Sequence, residues 1–149
     1  MAARLNTPWR PRRAMFALVG VCLLVALGGC SRDQTAATPA ASAATRGAQL
    51  YTTSCIACHQ ADGHGIARVY PSLAGSGVVN GDGGELARWV IKGQRPATLP
   101  AGRFSSVMPQ YGWLNNDDAA ALLTHVRSSF GNQAAAIGRD DIARALSAP

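Results

Sequence analysis

Cys55-Ile56-Ala57-Cys58-His59 is the stretch on which the reading of the whole chain turns. Cys-x-x-Cys-His is the spacing at which two thiols add across the two vinyl groups of a haem while the adjacent imidazole takes one axial position on the iron. The three residue types must stand in this order on one helical turn, because the thioethers hold the macrocycle against the helix while the imidazole reaches beneath it. A structural zinc would need further ligands, and no second Cys pair or closely spaced His pair follows. A redox dithiol belongs at a helix start within a βαβ pattern, and no strand-rich stretch is present to build one. The motif therefore reads as the attachment site of one covalent haem c, with Cys55 and Cys58 as thioether donors and His59 as an axial iron ligand.

Toward the N-terminus, Arg4, Arg10, Arg12 and Arg13 precede an apolar run over residues 14–27, followed by Gly28-Gly29-Cys30. A basic start, a short apolar stretch and small residues before a cleavage point make an export signal, over residues 1–29. The run falls short of the roughly 20 residues a spanning helix needs. Leu27-Gly28-Gly29-Cys30 resembles the lipobox of bacterial lipoproteins, in which the Cys becomes the acylated first residue of the mature chain. Two other readings of the same stretch are an uncleaved membrane anchor and ordinary signal-peptidase cleavage further along. All three place the haem domain outside the inner membrane, on the periplasmic side.

Cysteine usage agrees with this division. Cys22 lies in the apolar run, Cys30 would carry lipid, and Cys55 and Cys58 would carry haem, so no thiol remains for a disulfide framework. Four of the 14 basic residues belong to the signal, leaving ten against eight acidic residues. A net charge of +2, before two haem propionates are added, offers no broad basic face for nucleic acid. With nine aromatic residues in all, a domain of this size buries little surface alone, and a buried porphyrin would supply much of the missing core.

Residues 30–44, rich in Ala, Ser, Thr and Pro with no apolar period, read as a flexible tether. The haem domain follows over residues 45–132, and residues 133–149 form an extension. A helix is expected from Thr45 to about Ala57, with Gly47, Leu50 and Tyr51 on one side; glycine at 47 would let another helix approach closely. Residues 60–79 read as a glycine-punctuated loop. Asp82 and Glu85 form a capping signal for a short helix bearing Leu86, Trp89 and Val90, which Gly93 would stop. Residues 94–110 read as a second long loop. Asn115 and Asp118 cap the last main helix, whose apolar face carries Leu122, Leu123, Val126 and Phe130 and which ends at Gly131. A short helix is expected over residues 140–146. The fold class is all-α, with long loops wrapped around one haem.

The second axial position has one leading candidate. Outside the signal Met108 is the only methionine, 49 residues after His59, in the loop before the last main helix. Its rivals are His64, His125 and Lys92. His64 lies on the same side of the attachment segment as His59, His125 flanks the apolar stripe as a packing residue, and Lys92 reads as a solvated charge complementing a helix C-terminus. Relative to a second imidazole, a thioether favours ferrous iron and raises the potential. Trp89, Tyr111 and Trp113 are candidates for pocket lining, for donation toward propionates or for core packing, and Arg95 and Arg103 for propionate pairing or solvated loop positions.

From Gly47-x-x-x-Tyr51, through the haem motif and Tyr70-Pro71-Ser72-Leu73-Ala74-Gly75, to Met108-Pro109 and the closing helix, the chain resembles class I monohaem cytochromes c. It is especially similar to haem domains of bacterial dehydrogenase cytochrome subunits, whose closing segment is similar to Val126-Arg127-Ser128-Ser129-Phe130-Gly131-Asn132. The resemblance implies that the first and last helices cross near Gly47 and Tyr51. It also implies that the Pro71 carbonyl accepts the Nδ1 proton of His59, leaving Nε2 for iron. His125 departs from the aromatic residue the family commonly has there.

The function expected is one-electron transfer between redox protein partners, from a dehydrogenase or quinol-oxidising complex to an oxidase or reductase, without catalysis by the chain itself. The alternatives are a haem-based sensor of small ligands with a displaceable sixth ligand, and a haem subunit docked to a membrane dehydrogenase.

Overall fold

A computed structural model describes residues 38–99 and 101–148. The expected export signal, Cys30 and the expected tether up to residue 37 lie outside the described residues. The described residues form six α-helices and no β-strand, and one isolated antiparallel bridge joins Ile66 and Tyr70. No described helix is long and apolar enough to cross a membrane.

Helix α1 spans Pro39–Ser54, beginning six residues before the expected start. Thr38 caps it, its hydroxyl accepting from the Ala41 N–H at 3.3 Å, and Pro39 occupies the first turn, where its missing N–H costs nothing. Alanine then propagates the helix. The lack of apolar period over residues 39–44 signals exposure, and these residues are all exposed; it does not signal coil, which corrects this part of the tether.

The haem motif forms its own turn, α2 (Ile56–His59), ended by Gln60 in the left-handed region at φ 63°. The next loop contains an unexpected single turn, α3 (Gly77–Asn80), capped by Ser76. Asp82 caps α4 (Gly83–Ala87) by accepting from the Glu85 N–H at 2.7 Å, and α4 continues as a π-helical turn over Arg88–Lys92. Gly93, left-handed at φ 70°, closes that turn as expected. Asn115 caps α5 (Asn116–Ser128), accepting from the Asp118 N–H at 2.9 Å.

Helices α1 and α5 cross where Gly47 meets the Ala121 carbonyl, and Leu50 and Tyr51 join Leu122, Leu123 and Val126 in one buried cluster. From α4 and the π turn, Leu86, Ala87 and Val90 complete it. Phe130 corrects the expected stripe: α5 ends at Ser128, and Phe130 and Gly131 are left-handed at φ 58° and 79°. The reversal folds the Phe130 ring back onto Tyr51, centroids 5.0 Å apart, and over Gly63.

The extension is part of the domain. Its helix α6 (Arg139–Ser147) buries Ile142 completely, and its lead-in is held by Thr124, whose hydroxyl donates to the Ile137 carbonyl at 3.2 Å and accepts from the Ile137 N–H at 3.0 Å. Arg127 is buried without a carboxylate among its bonds. Its guanidinium donates to the carbonyls of Ala135 (2.7 Å), Val79 (2.7 Å) and Gly81 (2.9 Å), joining α5, the end of α3 and the extension.

Candidate functional site

The C-terminal end of α1 delivers Cys55 to the interior, where it is buried, while Cys58 one turn on is partly exposed. Burial pushes the Cys55 thiol up to about 11, so it stays protonated at neutral pH. His59 ends α2 and is buried; its Nδ1–H donates to the Pro71 carbonyl at 3.0 Å. Loss of solvation lowers the His59 pKa against the opposing pull of that bond, favouring the neutral imidazole an iron ligand requires.

Both cysteines and His59 open onto a slot of about 290 Å³, which adjoins a second cavity of about 80 Å³. Cys55, His59, Pro71, Trp89, Leu99 and Met108 line both parts. The inner part runs between Leu86, Val90, Leu122 and Val126, an apolar floor. Two thiols, one buried and one partly exposed, a neutral imidazole beside them and apolar walls fit a covalently held porphyrin. Met108 comes to this slot although it is distant from His59 in sequence, and it packs half-buried against the core cluster.

The other candidate ligands go elsewhere. His64 is exposed and folds onto Asp62, its Nδ1 3.1 Å from that residue's carbonyl and 3.5 Å from its carboxylate. His125 packs with Tyr51 and Phe130, centroids 5.7 and 6.1 Å away, and burial lowers its pKa. Lys92 is exposed in the last turn of its helical segment, as expected, and donates to the Leu146 carbonyl at the end of α6. Trp89 and Tyr111 line the slot, whereas Trp113 is 64% exposed and lines neither cavity. Arg95 lies over the Trp89 ring, 5.8 Å from its centroid, and donates to the Leu99 carbonyl; Arg103 is exposed.

Sequence reasoning named Tyr111 as a pocket candidate but missed the bonds that fasten the slot's walls. The Tyr111 hydroxyl donates to the Ser54 carbonyl at 2.8 Å, tying the Met108 loop to the end of α1. Buried Asn132 bonds into the segment after Pro71. Neither long-range partnership leaves a local signal. Arg127 does leave one, since it stands four residues after Leu123, on the buried side of an amphipathic helix.

The cytochrome c family model matches residues 44–130, more than half of the chain. The chain is 32% identical over 93 residues to the gluconate 2-dehydrogenase cytochrome c subunit of Pantoea cypripedii, covering 60% of this chain and 21% of that protein. It is 33% identical over 98 residues to the cytochrome c subunit of the quinone alcohol dehydrogenase of Gluconacetobacter polyoxogenes, covering 62% and 20%. Cytochrome c-552 of Thermus thermophilus is 28% identical over 93 residues, covering 58% of this chain and 69% of that protein. The chain thus spans about a fifth of the dehydrogenase subunits it matches. Helices without strands among the described residues, thiols and imidazole on one apolar slot, and the family match together place the chain in the cytochrome c family, as an all-α electron-transfer domain carrying covalent haem c.

Proposed function

We propose that the chain is an exported one-electron carrier with His59 and Met108 as axial ligands, held to the membrane surface through Cys30. The observation that carries this reading is Met108 lining the same slot as Cys55 and His59. When bound, the haem supplies a ferric/ferrous couple. Cys55 and Cys58 tether it, His59 presents Nε2 because Nδ1 is engaged by Pro71, and Met108 occupies the position a small ligand would otherwise take. The apolar floor keeps water from the iron, which limits solvent reorganisation during transfer. Donors proposed are a dehydrogenase or quinol-oxidising complex; acceptors are an oxidase or reductase.

A second reading, a haem subunit docked to a dehydrogenase, is favoured by the similarity to the two dehydrogenase subunits. Replacing Met108 with Ala tests the ligation. The low-spin spectrum should give way to a high-spin or ligand-exchanged one, and the reduced variant should bind carbon monoxide promptly where the parent does not. An unaltered spectrum and potential in the variant would exclude Met108. Co-purification with a quinoprotein or flavoprotein separates the docked subunit from the free carrier.

A further inference from the structure

Asn132 is 4% exposed, and its side-chain amide uses every bond it can form. Its two N–H groups donate to the carbonyls of Leu73 (3.1 Å) and Val126 (3.0 Å). Its Oδ1 accepts from the Gly75 N–H (2.9 Å) and from the Asn80 amide (2.8 Å). The orientation is unambiguous, because a flipped amide would set N–H against the Gly75 N–H and oxygen against two carbonyls.

Three of these four partners belong to the segment running from Pro71 into α3. The fourth is the end of α5, so Asn132 nails that segment to the helix that crosses α1. On its other side the same segment donates from the Leu73 and Ala74 N–H groups to the Gly63 carbonyl, at 2.7 and 3.2 Å. The Pro71 carbonyl stands at the head of this doubly fastened strip, 3.0 Å from His59 Nδ1. Phe130 and Gly131, both left-handed, make the reversal that aims Asn132 inward.

We propose that Asn132 is a positioning residue for the haem ligand: by fixing the segment that follows Pro71, it sets how strongly the Pro71 carbonyl polarises His59 and so helps set the reduction potential. The inference rests on His59 being an axial ligand. A strong bond at Nδ1 makes the imidazole a better donor and favours ferric iron. With Asn132 gone, the strip loses its ties at Leu73, Gly75 and Asn80 and keeps those to Gly63 and, at Val79, to Arg127, so the His59 bond loosens and the ferrous form gains.

The test uses full-length protein matured with haem, as Asn132→Ala and, as the gentler change that keeps a small hydrogen-bonding side chain, Asn132→Ser. Two quantities are read: the midpoint potential, and the position and solvent-exchange rate of the His59 Nδ1–H resonance. Removal of Asn132 should shift the couple toward ferrous by threefold to tenfold in the ferric:ferrous ratio, up to about 59 mV for one electron. It should also speed Nδ1–H exchange at least tenfold. If Asn132→Ala does not accumulate as haem protein, Asn132→Ser decides by the same readings. A lowered melting temperature with potential and Nδ1–H exchange unchanged overturns the proposal, leaving Asn132 a purely structural residue. Failure of the underlying ligation shows separately, as an unmodified protein whose His59 resonances lack the shifts of an iron ligand.

Discussion

Gly47 of α1 faces the Ala121 carbonyl of α5 so closely that a Cβ at position 47 would overlap it and stand 2.8 Å from the Cβ of His125. The atoms in the way are backbone and the root of a side chain, so they cannot swing aside. Gly47→Ala should therefore destabilise the fold by about 1–3 kcal/mol, the usual penalty of overpacking, and Gly47→Val by more. Urea unfolding measures it. Because α1 leads directly into Cys55, the yield of haem-loaded protein should fall in the same order.

Arg127 is a buried cation stabilised by three carbonyl dipoles, from Val79, Gly81 and Ala135. Truncation to Ala strands those acceptors and opens a void, so Arg127→Ala should cost about 3–5 kcal/mol. Lysine keeps the charge without the planar fork and should recover only part of that loss. Chemical denaturation of both variants checks the order; equal stability of Arg127→Lys and the parent protein would show that the fork is dispensable.

His125 sits between Tyr51 of α1 and Phe130, with the Ser129 hydroxyl 3.4 Å from its Nδ1. Burial depresses its pKa below the ordinary 6.5, so the unfolded chain binds the proton more readily than the folded one. Its contribution is complete above pH 6.5 and is lost as pH falls from there through the depressed folded value. His125→Phe keeps a ring in the cluster and removes the titration. Its melting temperature should vary less below pH 6.5 than that of the parent protein, and identical slopes would rule the effect out.

Ile142 of α6 is fully buried, although it lies beyond the segment matched by the family model. Ile142→Ala should cost about 2–5 kcal/mol, as for other large-to-small core changes. Truncation after Asn132 should lower stability further, since it also removes the Ala135 acceptor of Arg127 and the Leu146 acceptor of Lys92. Thermal unfolding followed at the haem band reads both, and unchanged stability on truncation would mean that the extension is an appendage.

Local chemistry was legible wherever the partners are neighbours. The haem motif, the caps at Asp82 and Asn115, the stop at Gly93 and the apolar faces of α1 and α5 all depend on residues within a few positions of one another, where spacing specifies geometry. The early start of α1 was hidden because exposed alanine carries no periodic signal while still favouring helix. The departure of Phe130 from α5 was hidden because its backbone reversal is stabilised by contacts with Tyr51 and Gly63, far away in the chain.

Covalent haem attachment and helical class are inscribed in the linear order of residues, since bond-forming groups and helix signals act over a turn or less. Which residues fasten the slot was settled by folding: Asn132 under the Pro71 segment, Arg127 among three carbonyls, Tyr111 on the end of α1 and α6 over the core. Each of these satisfies a buried polar group or closes an apolar surface supplied by a distant segment. Such a need exists only once the chain has brought the two together.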